Sequence, residues 1–388
     1  MELKAGYKNT EVGIIPDDWE IDALEKFWTV TDCKHITAKF IPDGYPLASI
    51  TEVQSLYVNL NSAMQTTKEY YLKLIEGNRK PSSGDLIFSR NATVGEVAQV
   101  ADWHPPFAMG QDVCLLRKRK ENYSTVYLQT LIKSPIIRKQ LENLMVGSTF
   151  KRVNIEQIRN FYIPFPPYKE QAIIGHALSG VDALLSGLEK LIAKKRNIKQ
   201  GTMQQLLKPK EGWEVKKLGE IAEIYTGKKN NQDKVENGQY PFFVRSQSVE
   251  RINTYSFDGE AILIPGEGNI GKIFHYINGK FDYHQRVYKI SDFKSGYNGK
   301  YIFRYMSEYF GRHALENSVK ATVDSLRLPT FQVFEIPFPP TPEEQTRIAT
   351  VLSDVDAEIA ALEVKLEKYR KVKLGMMQNL LTGKIRLI

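Results

Sequence analysis

The chain states one pattern twice. Residues Phe161–Leu207 begin Phe-Tyr-Ile-Pro-Phe-Pro-Pro and reach Met-Gln-Gln-Leu-Leu, and residues Phe334–Leu381 begin Phe-Glu-Ile-Pro-Phe-Pro-Pro and reach Met-Gln-Asn-Leu-Leu. The offset is 173 residues between Pro164 and Pro337 and 174 between Gln171 and Gln345, so one residue is inserted between them. That length is far beyond a solenoid unit of about 20–50 residues. It marks two copies of a whole domain-plus-helix module. Such a chain presents two similar surfaces, and suits a target with two similar halves.

The C-terminal part of each copy reads as a long helix. Ile174, Leu178, Val181, Leu185, Leu188 and Ile192 recur in alternating steps of four and three. Ile348, Leu352, Val355, Ile359, Leu362, Leu366 and Tyr369 do the same, and Met376 and Leu380 resume the pattern. This is a heptad seam. Each helix runs about 40 residues, or ~60 Å at 1.5 Å per residue. A helix with one exposed seam gains its stability from packing, so the economical solution pairs the two helices, antiparallel. Thr341-Pro342-Glu343-Glu344 predicts a helix start with threonine as N-cap, proline in the first turn and glutamate reaching back as a capping box. The first copy has Pro167 where Thr341 stands, so its cap is made differently.

The segments between the helices are strand-rich, with short helices expected at residues 125–144 and 300–316. Trp19-Glu20-Ile21 matches Trp213-Glu214-Val215, residues 84–88 match 259–263, and Phe107 with Gln111 matches Phe281 with Gln285. Each domain is therefore expected to be α/β (α+β), and the two domains alternate with the two helices. The expected boundaries are 1–166 and 209–339 for the domains, and 167–208 and 340–388 for the helices. The second module is shorter before its glycine loop, leaving less surface for contacts.

With 42% hydrophobic and 25% charged residues among 388, the chain is globular rather than disordered. No apolar run approaches the ~18–20 residues that span a bilayer. Met1-Glu2-Leu3-Lys4 lacks the layout of a secretory signal. Cys33 and Cys114 have neither metal-ligand spacing nor a disulfide framework, and are expected as reduced thiols in a core. A cytoplasmic location is the expectation. The net charge of +8 and pI of about 9.1 tilt the partner toward a polyanion.

Catalytic and cofactor patterns fail on inspection. Gly266-Glu267-Gly268-Asn269-Ile270-Gly271-Lys272 fits a dinucleotide fingerprint and nearly a phosphate-binding loop. Both need a helix N-terminus directly after the loop. Ile273-Phe274-His275-Tyr276-Ile277 reads instead as a strand, so a glycine-rich hairpin is expected. Phe165-Pro166-Pro167-Tyr168 resembles the motif of amino-methyltransferases, but Phe165 cannot accept a hydrogen bond from the amine being methylated. The six histidines form no H-x-x-x-H pair, and no G-x-S-x-G elbow occurs.

Nucleic-acid reading has more to offer. Base edges in the major groove are met by Arg, Lys, Asn and Gln, with Ser and Thr assisting. In the first module the candidates are Arg79, Lys80, Arg90, Asn91, Thr93, Lys151 and Arg152. In the second they are Lys228, Lys229, Asn231, Arg245, Gln247, Asn269, Lys272 and Arg327. Any single cluster is more often a solvated loop. Two basic runs on the helices, Lys194-Lys195-Arg196 and residues 368–373, either face DNA or flank the seam.

At this point the residues resemble a known family. The opening Tyr7-Lys8-Asn9-Thr10-Glu11-Val12-Gly13-Ile14-Ile15-Pro16-Asp17-Asp18-Trp19 looks like the start of type I restriction–modification specificity subunits. So do Ile336-Pro337-Phe338-Pro339-Pro340 with Glu344-Gln345 and Asp356, and the ending Leu380-Leu381-Thr382-Gly383-Lys384-Ile385-Arg386. The resemblance implies two similar target-recognition domains separated by two long antiparallel coiled-coil helices, with an internal pseudo-two-fold repeat. It implies a non-catalytic subunit that binds double-stranded DNA, each domain reading one half of a bipartite gapped site. Two modification subunits would methylate adenine with S-adenosylmethionine, and restriction subunits would add ATP- and Mg-dependent translocation and cleavage. This chain would bind no cofactor and no metal. The Pro-Phe-Pro-Pro edges are expected as hinges between domain and helix. Two alternatives remain: a coiled-coil adaptor that binds no DNA, and a nucleotide-binding enzyme built on Gly266–Lys272.

Overall fold

The computed structural model describes residues 5–145, 152–318 and 325–387. The chain divides into two compact units, one of Met1–Glu189 with Lys365–Ile388 and the other of Lys190–Val364.

The first unit is centred on a four-stranded antiparallel sheet in the order Trp28–Asp32, Val113–Lys118, Leu86–Ser89, Val97–Gln99. Strand residues point alternately to opposite faces, and both faces here are buried. Leu86, Phe88, Cys114 and Leu116 face one core with Leu128, Leu131, Ile137 and Leu141 from the helices Thr125–Ile132 and Pro135–Met145. Ile87, Val113 and Leu115 face the other, with Cys33, Val53, Phe107 and Met109. That is why Leu-Ile-Phe-Ser is buried throughout. The single helix expected over residues 125–144 is broken at Lys133-Ser134, just before Pro135, because proline disfavours helical geometry in the residue before it.

The second unit repeats the plan around six strands. Their order is Glu223–Thr226, Val287–Ser291, Phe257–Pro265, His275–Tyr283, Tyr240–Phe243, Glu250–Ile252. Ile262, Ile264 and Ile290 meet Ile302, Met306 and Phe310 of the helix Gly299–Glu316, while Ala261, Leu263 and Phe281 face the opposite side.

The repeat holds to individual hydrogen bonds. In the first unit the strand Tyr162–Phe165 pairs antiparallel with Glu20–Ala23, and in the second Glu335–Phe338 pairs with Glu214–Lys217. The Tyr127 hydroxyl donates to the Pro164 carbonyl at 2.8 Å, and the Tyr301 hydroxyl to the Pro337 carbonyl at 2.6 Å. Gln171 Oε1 accepts from the Ser124 amide at 3.0 Å, and Gln345 Oε1 from the Asn298 amide at 2.9 Å. These contacts correct the hinge expectation. The edges are fastened by buried side chains, and a hydrogen-bonded buried group is costly to free.

The long helices are Tyr168–Leu206 and Pro342–Leu380, 39 residues each. In the first unit Asp182 pairs with Lys373 at 2.5 Å and Glu189 with Arg370 at 2.8 Å. In the second, Asp356 pairs with Lys199 and Glu363 with Arg196, both at 2.6 Å. In each unit the number rises along one helix as it falls along the other, so the helix segments run antiparallel. Every seam position is buried or half-buried, with Ile174, Leu178, Ile348 and Leu352 the most deeply buried. The basic runs thus flank the seam, since Lys195, Arg196, Arg370 and Lys373 are all spent on Glu358, Glu363, Glu189 and Asp182. At the second helix start the Glu344 amide donates to Thr341 Oγ1 at 3.3 Å, as expected of the cap. The Glu344 carboxylate turns instead to Arg347, so the returning half of the capping box is replaced by an ion pair. Among the described residues no helix is long and apolar enough to cross a membrane.

Candidate nucleic-acid interface

The glycine loop of the second unit joins two strands that pair antiparallel on either side of it, Phe257–Pro265 and His275–Tyr283. No helix N-terminus follows, so nothing aims backbone N–H groups at a phosphate. The glycines have packing reasons. Gly271 sits at φ +66°, and a Cβ there would lie 2.8 Å from the Cα of Gly311 on the neighbouring helix. A Cβ on Gly266 would lie 2.7 Å from the ring of Tyr288.

Around this loop the second unit gathers polar side chains contact by contact. The Gly266 amide donates to the Arg286 carbonyl at 2.8 Å, and the Gly266 carbonyl accepts from Leu326 at 2.7 Å. Glu267 bridges Ser325. The Gln285 amide donates to the Lys229 carbonyl at 2.8 Å, and its side chain to Asn230 at 2.6 Å. The Glu267 carboxylate then receives Arg245 Nη1 at 3.2 Å and Arg286 Nη1 at 2.8 Å. Beside them the His284 ring is held below its ordinary range, first by burial and next by the Arg245 charge, and its Nδ1 accepts from the Arg286 amide at 2.9 Å.

Of the expected residues, Lys229 and Arg245 fall in this constellation, with Arg327 directly after Leu326. Lys228, Asn231, Gln247, Asn269 and Lys272 are exposed and lie outside the strands, Asn231 at the start of a short 3-10 helix. Glu267, Gln285 and Arg286 were not expected. Glu267 was visible only as filler in the glycine motif. Arg286 stands where the first copy has Asp112, and that divergence inside a repeat was the available signal.

The first unit treats its candidates differently. Arg90 is only 3% exposed and pairs with Asp32 Oδ1 at 2.9 Å, so it faces the interior as a support. Arg79 donates to the Asp32 and Glu76 carbonyls at 2.9 Å each, which fastens its loop. The physical reasons differ: Arg79 is satisfied by backbone carbonyls, whereas Arg90 is held inward by the charge of the part-buried Asp32 carboxylate, with its Nε and Nη2 left without a hydrogen-bond acceptor. Lys80 and Arg152 are exposed. Asn91 bridges Arg152 and accepts its neighbour's amide, and Thr93 meets the Ser89 hydroxyl at 3.0 Å. Lys151 lies outside the described residues.

Cys33 and Cys114 are buried free thiols, and burial pushes both upward in pKa. Asp32, Cys33 and His35 bring one ligand atom each within 4.8 Å of one another. The donor set does not suit a resident cation. Asp32 is already engaged by Arg90, whose charge would face the ion, and Cys33 is biased toward the protonated thiol.

Two sheet-and-helix units with matching frames, divergent loops and paired long helices call for comparison with known proteins. The family described as type I restriction modification DNA specificity domain matches residues 16–200 and again 210–368. The chain belongs to this family. Its members are the specificity subunits of type I restriction–modification enzymes, recognition subunits without a catalytic centre. The chain is 27% identical to the type I restriction enzyme MjaX specificity subunit of Methanocaldococcus jannaschii, over 98% of this chain and 96% of that one. It is 29% identical to the EcoDI specificity subunit of Escherichia coli, over 44% of this chain and 37% of that one. Its fold is similar to the crystal structure of the S subunit from M. genitalium, with TM-score 0.67 at 16% identity and 98% of each chain covered. A structure from work on complex assembly and conformational transition of the type I system gives TM-score 0.55 at 17% identity, covering 96% of this chain and 99% of that one. Neither the adaptor nor the nucleotide-binding alternative is supported: the family is one of DNA specificity domains, and the glycine loop is a strand connection.

Proposed function

We propose that each unit of this specificity subunit carries one reader, and that the two read the two halves of a bipartite, gapped site in double-stranded DNA. The observation that carries this is the duplication itself. The frames agree hydrogen bond by hydrogen bond, whereas the loops at equivalent positions differ: Arg90-Asn91 in one, Gly266-Glu267 in the other. One frame with two loop sets suits one job on two different sequences.

The candidates at exposed or half-buried positions are Lys80, Asn91, Thr93 and Arg152 in the first reader. In the second they are Lys228, Lys229, Asn231, Arg245, Gln247, Asn269, Lys272 and Arg327. Phosphate contacts from the lysines supply affinity and register, and base-edge contacts supply the choice. The chemistry belongs to partners: two modification subunits with S-adenosylmethionine for adenine methylation, and restriction subunits with ATP and Mg for translocation and cleavage.

The deciding experiment co-expresses this chain with its modification subunit and maps adenine methylation by single-molecule sequencing. One gapped motif, methylated on both strands and absent without this chain, is the expected result. Co-purification of the two proteins with methylation at unrelated or ungapped sites would refute the reading.

A further inference from the structure

We propose that Arg245, Glu267 and Arg286 form a base-reading unit of the second domain that recognises a G·C pair, with Glu267 both holding the two arginines and accepting from the cytosine. This rests on the DNA-reading function above. Glu267 offers two carboxylate oxygens, and each is taken by a different arginine: Oε2 by Arg245 at 3.2 Å and Oε1 by Arg286 at 2.8 Å. The anchor lies inward and the forks outward, with side-chain exposures of 23% for Glu267, 43% for Arg245 and 57% for Arg286.

The backbone under Glu267 and Arg286 is fixed. Glu267 is bridged to Ser325, Gly266 is bonded to both Arg286 and Leu326, and the Arg286 amide donates to His284. Among the described residues, each guanidinium meets Glu267 through one nitrogen. A guanidinium carries five N–H donors, so each fork keeps donors for a ligand.

The carboxylate decides between phosphate and base. A phosphate clamp gains nothing from an acid at its centre, because like charges close together repel. A G·C edge uses all three groups. Guanine O6 and N7 accept from an arginine fork, and cytosine N4 donates to a glutamate. The first unit has Asn91 at the position of Glu267 and Asp112 at that of Arg286, so its half of the target differs.

The test uses the full chain co-expressed with its modification subunit, and the readout is the methylated motif. Glu267→Gln removes the anchor charge. Arg286→Lys keeps the charge and loses the fork. Each is expected to make one G·C position in one half-site degenerate, with discrimination falling about tenfold or more, while the other half and the spacer stay unchanged. Arg286→Lys is also expected to leave the salt dependence of DNA binding as it was, since the number of cations is the same. If Glu267→Gln lowers the melting temperature appreciably, Arg286→Lys alone decides. A uniform drop in methylation over an unaltered motif would make the triad a phosphate contact and overturn the proposal. An unaltered motif at unaltered level would overturn it too. Wild-type protein that directs no bipartite methylation would instead remove the DNA-reading function on which it rests.

Discussion

Replacing Arg386 should loosen the first unit by unpairing a carboxylate that water cannot reach. Glu170 is 0% exposed, and Arg386 meets it through Nε at 2.7 Å and Nη2 at 2.7 Å. Trp19 Nε1 adds a bond at 3.1 Å, and Asp18 holds the outer side of the guanidinium at 2.9 and 3.0 Å. Breaking a buried ion pair from one side costs about 3–5 kcal/mol. The low end, about 3 kcal/mol, applies here because the Arg386 side chain is 22% exposed and water can partly replace it. For a unit of about 210 residues, that is a fall of about 6–12 °C in melting temperature. Arg386→Ala in the full chain, followed by calorimetry and by hydrogen exchange resolved along the sequence, measures it. Protection should be lost around Trp19 and Tyr168–Ala177, with residues 214–340 unaffected. Adding Glu170→Gln should recover part of the loss, since the buried charge is gone. Additive losses in the double variant, or a shift under about 2 °C for Arg386→Ala, would refute the reasoning. The acid limb supplies a further check. The Arg386 hydrogen bond holds Asp18 below its ordinary 3.8, so the folded carboxylate binds a proton later than the unfolded one. Its contribution is present above that value and lost as pH falls through the folded value. Arg386→Ala should flatten that limb.

Leu352→Asn places a polar group at a fully buried seam position and should destabilise the second unit by about 3 kcal/mol, read by denaturant unfolding. Asp182→Lys should cost about 1 kcal/mol by removing a partly exposed pair and opposing Lys373, and Asp182→Lys with Lys373→Asp should restore most of it. Burial pushes Asp356 up, but Lys199 and Arg304 outweigh it and hold the carboxyl below its ordinary range, so acid titration of Asp356→Asn protein should lose less stability as pH falls through the wild-type folded value. Inserting one heptad into each long helix should lengthen the methylated motif's spacer by about three base pairs, at 1.5 Å per residue against 3.4 Å per base. A changed half-site in that experiment would contradict the assignment of reading to the domains and spacing to the helices.

The long helices were legible because a heptad seam is local information. Every third or fourth residue repeats the same demand, and both seams are buried or half-buried as the periodicity requires. The strand after the glycine loop was legible from the β-branched and aromatic residues of Ile273–Ile277, although it begins only at His275. The fate of the arginines was not. Arg90 and Arg245 look alike in sequence, each beside small polar residues. One is turned inward by Asp32, 58 positions away, and the other is held outward by Glu267. Whether a guanidinium faces solvent depends on an acid brought close by tertiary structure, and no spacing rule carries that. The hinge expectation failed similarly. A proline pair suggests a flexible joint until Tyr127 and Tyr301 arrive from helices earlier in each unit to bind the carbonyls.

The ion pairs between the helices show how duplication separates constancy from change. Asp182–Lys373 in the first unit corresponds residue for residue to Asp356–Lys199 in the second, and Glu189–Arg370 to Glu363–Arg196. Each pair is individually weak, being partly exposed and screened by salt. Their arrangement still disfavours misaligned seams, since a slip of one heptad would juxtapose different charges and lose the matched hydrophobic steps. An antiparallel seam that is specified twice tolerates change elsewhere. Substitutions in the loops around Asn91 or Glu267 need not disturb the frame, because the bonds that fasten each frame, from Tyr127 and Gln171 or Tyr301 and Gln345, lie on other elements. A reader can then change its sequence choice without renegotiating its fold.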